Sequence, residues 1–167
     1  MLHCFIEGPD DETFFKKVFS GIEVDYYQYS QKQSIKVNKY IQTIKQINEP
    51  YIFFADADGD SYQSKKDKIL NKFQAVNTDH LFIVQYEIES WFLAGVDKPF
   101  CDRNKIKKYY SDTNSITKEM FENVIKNTGE TKLSMMLKML NDYSYVLAGT
   151  RNDSFKKFFD KNMSICT

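Results

Sequence analysis

Short apolar runs alternate with amphipathic helical patterns over the first 95 residues, and this alternation restricts the fold more than any other feature. The run "LHCFIEG" is closed by Glu-Gly, and "PDDETFFKKVF" then offers a proline, an acidic first turn and apolar residues at helical spacing. Three further strands are predicted at "EVDYYQYS", "YIFFADAD" and "HLFIVQ", with helical patterns after the first two of these. Strands joined by helices are typical of βαβ units in a parallel sheet. We therefore predict an α/β, Rossmann-like fold with a four-stranded, mainly parallel sheet between helices.

The pattern changes after residue 95, where three helical stripes at 120–125, 133–140 and 155–159 replace the strands. The second stripe consists of Leu133, Met136, Leu137 and Leu140, and we expect the methionines of these helices to fill the core. We expect one domain over residues 1–167, made of an α/β catalytic core at 1–95 and a C-terminal helical extension packed on it at 96–167. No apolar run approaches the ~20 residues of a membrane-spanning helix, so we expect no membrane association and a cytoplasmic protein.

The formal net charge of zero conceals an uneven distribution of charged residues. Residues 1–96 carry 10 Lys/Arg and 14 Asp/Glu, whereas residues 97–167 carry 13 Lys/Arg and 9 Asp/Glu. This polarity suits an acidic metal centre with a mildly basic flank for a polyanion, although scattered surface lysines would give the same counts.

The three cysteines, Cys4, Cys101 and Cys166, are far apart in the chain, and only two histidines accompany them. This spacing argues against a zinc site and against a disulfide framework. Cys4 lies inside an apolar run, so we expect it to be a buried packing residue without a chemical role.

Carboxylates follow three of the predicted strands. Glu7 closes the first strand, Asp56 and Asp58 close the third, and Glu87 and Glu89 come after the fourth. In a parallel sheet, ligands bind outside the carboxyl ends of the strands, where all five of these residues fall. In an extended segment, residues two apart point to the same side, so Asp56 and Asp58 could present both carboxylates to one ion. Carboxylates are the hard ligands that magnesium and manganese prefer.

Other carboxylates near these strands have simpler interpretations. Asp60 is expected to form a turn or cap a helix, and Asp10 and Asp11 are expected to cap the first helix. Glu7 is different, because a carboxylate at the end of an apolar strand costs free energy of desolvation unless it is paired or bound to a metal.

The segment "DADGDSYQSKKD" admits three family interpretations. Its carboxylates fall at positions 1, 3, 5 and 12 of a calcium loop, but the glycine falls at position 4 instead of 6 and a strand precedes it. The shorter stretch "FFADADG" resembles the strand and Asp-x-Asp-Gly motif of haloacid-dehalogenase-type phosphatases, in which Asp56 would be the nucleophile. That motif is normally on the first strand of its domain, whereas here it is on the third.

The third resemblance uses an ordered set of residues: "FIEG" on the first strand, "DAD" on the third and acidic residues after the fourth. This set resembles the Toprim domain, which topoisomerases, primases and nucleases of the overcoming-lysogenization-defect type share. The spacing in "EGPDDETFF" is similar to the Toprim glutamate motif. The segments "YEIESWFLAG" and "TRNDSFKKFF" are similar to parts of small stand-alone Toprim-like bacterial proteins, many of which are found near phage-defence systems.

The Toprim resemblance implies a Mg²⁺- or Mn²⁺-dependent step at a phosphodiester. Asp56 and Asp58 would be metal ligands, and Glu7 a metal ligand or the general acid/base. Glu87 and Glu89 would extend the site to a second metal ion, as in two-metal hydrolysis; a solvated acidic turn is the alternative for this pair.

Basic residues in the second part of the chain are candidates for phosphate contacts. Lys132 is expected to assist catalysis, and Arg151 and Lys156, with the neighbouring Lys157, to contact phosphates. Tyrosines could stack on bases, although packing is the more common use of such rings. The tyrosines in question are Tyr26, Tyr27, Tyr29, Tyr109 and Tyr110.

Hydrolysis is the activity that a chain of this length best accommodates. A topoisomerase needs a tyrosine nucleophile from a separate domain, and a primase needs template-handling domains. We therefore expect a nuclease that acts on DNA or RNA, as a phage-defence effector or a toxin. The alternatives are a haloacid-dehalogenase-like phosphatase or nucleotide hydrolase, and a non-catalytic subunit of an ATPase–nuclease defence complex. A partner ATPase and a homodimer are the expected protein partners; the substrate, DNA or RNA, stays open.

Overall fold

The computed structural model describes residues 1–162, which divide into two compact units, residues 1–84 and residues 85–162. Cys4 and Cys101 are buried free thiols, so the predicted burial of Cys4 is confirmed, whereas Cys166 lies outside the described residues. None of the helices formed by residues 1–162 combines the length and the apolar character needed to cross a lipid bilayer.

The first unit is a four-stranded sheet in which all strands are parallel, in the order β2-β1-β3-β4. A 3₁₀ turn at Thr78–His80 precedes the last strand. The other elements, in chain order, are β1 (Leu2–Ile6), α1 (Pro9–Val18), β2 (Val24–Gln28), α2 (Ser34–Gln46), β3 (Tyr51–Asp56), α3 (Tyr62–Lys72) and β4 (Leu81–Val84). The α/β prediction, with four parallel strands and intervening helices, is confirmed.

Helices cover both faces of this sheet, which explains why β1, β3 and β4 are largely apolar, whereas the edge strand β2 is half-exposed. On one face, Phe53 of β3 packs in a cluster with Val37 and Ile41 of α2 and Ile69 of α3. On the other face, Phe15 of α1 stacks on Phe54 of β3 with ring centroids 3.9 Å apart. Burial on both sides therefore fixes the strand register and, with it, the positions of the loops at the strand ends.

The two loops that carry predicted site residues lead into helices with well-formed N-termini. In α1, the Asp11 carboxylate accepts a hydrogen bond from the Gly8 backbone N–H at 2.8 Å, so the expected capping role of Asp11 is confirmed. In α3, the Ser61 hydroxyl accepts from the Ser64 backbone N–H at 3.2 Å. These caps fix where each loop ends and its helix begins.

In the second unit, the regular elements that the structure describes are all helices, joined by loops. The three predicted stripes correspond to helices, but the buried face of the middle one differs from the prediction. Leu133 and Leu137 are 55% and 49% exposed, whereas Met135 and Met139 are fully buried, so the methionines do fill the core. The helices are α4 (Glu89–Ala94), α5 (Lys98–Arg103), α6 (Lys118–Ile125), α7 (Lys132–Asn141), α8 (Tyr145–Arg151) and α9 (Asp153–Asn162).

The segments "YEIESWFLAG" and "TRNDSFKKFF" are hydrogen-bonded to each other inside the second unit. The Asn152 side-chain amide donates to the Ser90 hydroxyl at 3.2 Å, and the Trp91 indole N–H donates to the Ser154 hydroxyl at 2.8 Å. Ser90 and Asn152 are almost completely buried. Because α4 is part of this cluster, the second unit begins before residue 95, the boundary that the hydrophobic pattern predicts.

Candidate functional site

The candidate site lies at the carboxyl end of the sheet, between β1 and β3. From β1 the chain moves outward to β2 on one side and then to β3 and β4 on the other, which makes the β1/β3 pair the topological switch point of the sheet. Glu7 directly follows β1, and Asp56 is the last residue of β3. The Asp56 backbone N–H donates to Glu7 Oε1 at 3.3 Å. The structure therefore brings Glu7 and Asp56 together at the edge where α/β folds bind ligands.

The orientation of Glu7 is set by Tyr29, which follows β2. The Tyr29 hydroxyl lies 2.9 Å from Glu7 Oε1 and 2.9 Å from the Phe54 backbone carbonyl, so its single proton is shared between two acceptors. Burial raises the pKa of Tyr29 well above its usual value, and the nearby Glu7 charge raises it further. The hydroxyl consequently stays protonated and acts as a hydrogen-bond donor. Tyr29 is 3% exposed, so it serves packing and positioning and has no surface on which a base could stack.

Asp58 is positioned by a tight turn and not by an extended strand. Asp58 and Gly59 have φ angles of 52° and 82°, and the Asp60 backbone N–H donates to the Ala57 carbonyl at 2.9 Å. Positive φ at both central residues is the pattern of a type I′ turn, for which Asp-Gly is a preferred pair. The expectation that Asp56 and Asp58 share one side of an extended segment is therefore wrong, because β3 ends at Asp56.

A lysine, Lys65, supplies the positive charge beside these carboxylates. Lys65 Nζ lies 2.5 Å from Asp58 Oδ2 and 3.8 Å from Glu7 Oε1, and its side chain is only 12% exposed. Burial alone would lower the pKa of Lys65, but the hydrogen bond with Asp58 and the charges of Glu7, Asp58 and Asp56 outweigh it, so the pKa is raised. The ammonium is therefore held in its charged form.

Sequence reasoning missed Lys65, although a signal was available. Lys65 and Lys68 are three residues apart near the start of α3, so they lie on one side of the helix and can reach back to the preceding acidic loop. Lys68 Nζ pairs with Asp60 Oδ2 at 2.7 Å. A basic pair at this spacing after "DADGD" predicts two ion pairs, and the structure has both.

The donor chemistry at this edge fits a hard divalent cation, but the present arrangement is an ion pair. Among residues 1–162, no group of three or more His, Cys, Asp or Glu side chains has a metal-binding arrangement. Glu7 and Asp58 instead present carboxylate oxygens toward one ammonium group, and Asp58 remains 52% exposed. A cation other than Lys65 would find oxygen ligands here only if the Lys65 side chain moved aside.

Glu87, Glu89 and Lys132 belong to the second unit, and local partners engage all three. A Glu87 carboxylate oxygen accepts a hydrogen bond from the backbone N–H of Lys118, at the first turn of α6. Glu89 is 3% exposed, and its Oε1 lies 2.5 Å from Lys132 Nζ. Such a buried pair breaks at a high free-energy cost, because removal of one partner leaves the other charge unpaired. Loss of either Glu89 or Lys132 alone would therefore destabilise the second unit.

Arg151 and Lys156, the predicted phosphate contacts, differ in exposure. Arg151 is 6% exposed, and its guanidinium donates to the backbone carbonyls of Ala94 and Val96 at 2.9 and 2.6 Å. These hydrogen bonds to backbone carbonyls explain why Arg151 is buried, and they give it a structural role that requires no phosphate. Lys156 is exposed on α9 and pairs with Asp160 at 2.7 Å, an i,i+4 contact of little energetic value.

Comparison of the chain with protein-family models, with curated proteins and with solved structures found no match.

Proposed function

We propose that this protein is a metal-dependent nuclease of Toprim type that hydrolyses phosphodiester bonds at the β1/β3 edge. The observation that carries the proposal is the contact between Glu7 and the Asp56 backbone at the topological switch point, with a cation-binding pair of carboxylates, Glu7 and Asp58, beside it. A glutamate after β1 and an Asp-x-Asp pair after β3 form the ordered set on which the Toprim resemblance rests.

In this proposal Glu7, Asp56 and Asp58 hold Mg²⁺ or Mn²⁺ at the carboxyl end of the sheet. The bound ion would polarise a phosphoryl oxygen and lower the pKa of an attacking water. Tyr29 and the Asp56 backbone N–H fix Glu7 Oε1, so we assign the other oxygen, Oε2, to accept a proton or bind the ion. Lys65, when it leaves Asp58, would offset negative charge on the phosphate.

Incubation of the purified protein with transfer RNA, single-stranded DNA and plasmid, in Mg²⁺ or Mn²⁺, tests the proposal directly. Glu7→Gln and Asp56→Asn should each lower the cleavage rate by about 100-fold or more, because each removes a charged ligand. Asp67→Asn is a matched control, since Asp67 is an exposed carboxylate on α3. Among residues 1–162, its one hydrogen bond is accepted from the Gln63 side-chain amide at 2.8 Å. Cleavage that persists in both site variants would contradict the proposal.

The remaining outcomes separate the alternative functions. Hydrolysis of a small phosphate ester, with covalent trapping of Asp56 by a phosphate mimic, would favour the phosphatase alternative. If the wild type cleaves no substrate alone but cleaves after addition of a co-purifying ATPase, the chain is an activated subunit. If Asp56→Asn leaves that assembled activity unchanged, the chain is a non-catalytic subunit.

A further inference from the structure

The second unit contains a cleft of about 310 Å³ between the loop that joins α5 to α6 and the helix α6 itself. From the loop, Lys107, Lys108 and Tyr110 line it. A volume at the lower end of the range for ligand sites can accommodate a nucleobase with its sugar. Neither the function proposed above nor the predicted site residues use this cleft.

Helix α6 and the turn that follows it form the opposite wall. Met120 and Val124 are four residues apart on the helix and line the cleft with apolar surface. Asn123 on the helix and Asn127 in the turn add side-chain amides that can both donate and accept hydrogen bonds. An apolar wall beside amide groups matches a nucleobase, which has an apolar ring face and a polar edge.

Buried residues and hydrogen bonds hold the loop between α5 and α6 in place, so the cleft is formed before a ligand binds. Ile106 is 3% exposed and Thr113 is completely buried, which anchors the loop on either side of its exposed lysines. Arg151 donates from its guanidinium to the Tyr110 backbone carbonyl, and Thr113 N–H donates to the Arg151 carbonyl at 2.9 Å. A preformed site loses less conformational entropy on binding.

The charge of the cleft is positive and uncompensated. Neither Lys107 nor Lys108 forms an ion pair with a carboxylate of residues 1–162, and no acidic side chain lines the cleft. Lys108 Nζ lies 4.5 Å from the centroid of the Tyr110 ring. This contact places the ammonium over the ring, so a base that stacks on that face of Tyr110 would displace the ammonium and leave it free to pair with a phosphate of the same nucleotide.

We propose that this cleft binds one nucleotide of a single-stranded nucleic acid, with the base on Tyr110 and the phosphates on Lys107 and Lys108. The choice of a nucleic acid strand rests on the nuclease function proposed above. The cleft would then hold part of the substrate strand and contribute to affinity without contributing a catalytic group.

The test uses a fluorescently labelled, single-stranded oligonucleotide in the presence of EDTA. Its binding to the protein is measured by fluorescence anisotropy over a range of salt concentrations. The variant Lys107→Glu/Lys108→Glu should bind the oligonucleotide more than about tenfold more weakly than wild type. The slope of log binding constant against log salt concentration should become shallower, by the amount expected for the loss of about two phosphate contacts. Tyr110→Leu, which keeps an apolar side chain but removes the stacking surface, should weaken binding by about fivefold or more.

The matched control is Lys39→Glu/Lys72→Glu, because these two exposed lysines line a larger cleft of about 510 Å³ in the first unit that has no aromatic side chain. This control should lose less than about threefold in affinity, since it changes the same net charge outside the proposed site. Circular dichroism and thermal melting of each variant would establish that the fold is retained.

Three results would overturn the proposal: no binding of the oligonucleotide by the wild type, equal loss of affinity in the control and cleft variants, or equally tight binding of a free mononucleotide. Because EDTA prevents metal-dependent cleavage, a negative nuclease assay leaves a positive binding result standing. Conversely, if wild type cleaves nucleic acid and Glu7→Gln does not, but the oligonucleotide does not bind in EDTA, the proposed function stands and the proposal for this cleft fails.

Discussion

At the scale of single residues, the Tyr29 hydroxyl links the ends of two strands, since it contacts Glu7 after β1 and the Phe54 carbonyl in β3. Tyr29→Phe removes these contacts and leaves buried acceptors without that donor, so we expect the free energy of unfolding to fall by about 1–2 kcal/mol. Urea denaturation followed by circular dichroism measures the change. Tyr26→Phe is the control, because the Tyr26 hydroxyl makes no hydrogen bond to another residue of 1–162, and it should be close to neutral.

The second prediction at this scale concerns Lys65, which neutralises Glu7 and Asp58. Lys65→Met removes the ammonium while it keeps most of the side-chain volume, so the two carboxylates repel each other and attract added cations more strongly. We expect Mn²⁺ to bind this variant at least about tenfold more tightly than wild type, as measured by the rise in melting temperature with Mn²⁺ concentration. Lys68→Met, which disrupts only the pair with Asp60, should bind Mn²⁺ like wild type. Equal Mn²⁺ affinities of wild type and Lys65→Met would contradict the assignment of these carboxylates as a cation site.

At the scale of elements, the type I′ turn after β3 depends on Gly59. A Cβ at Gly59 would meet no atom within 4 Å, so any cost of Gly59→Ala comes from its φ of 82° alone. We expect the free energy of unfolding to fall by about 1–2 kcal/mol. Gly149→Ala in α8 has equally open space but no positive φ, and it should be neutral or stabilising by up to about 1 kcal/mol. Thermal denaturation of the two variants distinguishes backbone strain from steric effects.

A hydrogen-bonded cluster at the opposite end of β1 predicts a pH dependence. Asp25 Oδ2 accepts from the Tyr40 hydroxyl at 2.5 Å and contacts His3 Nδ1 at 3.0 Å, and the Tyr40 bond, together with His3, lowers the pKa of Asp25 below its usual value. A lowered pKa in the folded state means that ionised Asp25 adds stability above the unfolded-state pKa of about 3.9, and that this stability is lost as pH falls through the lower folded-state value. Asp25→Asn should therefore be less stable than wild type at pH 7, and the gap should narrow below about pH 4.

Urea midpoints at pH 7, 5 and 3 would measure that gap. A stability difference between wild type and Asp25→Asn that stays constant over this pH range would contradict the prediction. It would show that the hydrogen bonds of Asp25, and not its charge, stabilise the fold.

The sequence predicts β1, β3 and β4 well because these strands are largely buried and read as apolar runs. The half-exposed edge strand β2 was predicted from its β-branched and aromatic residues instead. The short helices α4, α5 and α8 were not predicted, since six or seven residues are too few to establish a helical period. Glu7 and Asp56 were expected at carboxyl ends of strands, which lie along one edge of a parallel sheet. That β1 and β3 are neighbours follows only from the strand order in the structure. The position of Asp58 was not predictable from alternation, since the Asp-Gly turn determines its backbone conformation.

Arg151 shows why sequence alone could not assign the basic residues. An arginine among polar residues in the sequence suggests a phosphate contact. In the structure, the Arg151 guanidinium instead donates hydrogen bonds to backbone carbonyls more than 40 residues away in the chain. Only the tertiary fold places Ala94 and Val96 around its guanidinium. The same fold leaves Lys107 and Lys108 exposed, although their sequence context is no more distinctive.

At the scale of the whole molecule, the equal numbers of acidic and basic residues give a net charge of zero at pH 7. Electrostatic repulsion between copies of the protein is then weakest near neutral pH, and short-range attraction dominates. We expect light scattering to show the greatest self-association near pH 7, and less at pH 5.5 or 8.5. Self-association that is independent of pH over this range would point instead to a specific interface between copies.

The position of Lys65 also bears on how the protein responds to metal supply. Because the ammonium is part of the chain, its effective concentration at Asp58 is in the millimolar range or above, whatever the composition of the surroundings. A cation from solution must displace the Lys65 ammonium before it can bind. Below a threshold cation concentration, the carboxylates therefore remain paired with Lys65. A cation that arrives at this edge would therefore act on carboxylates that the protein has already paired.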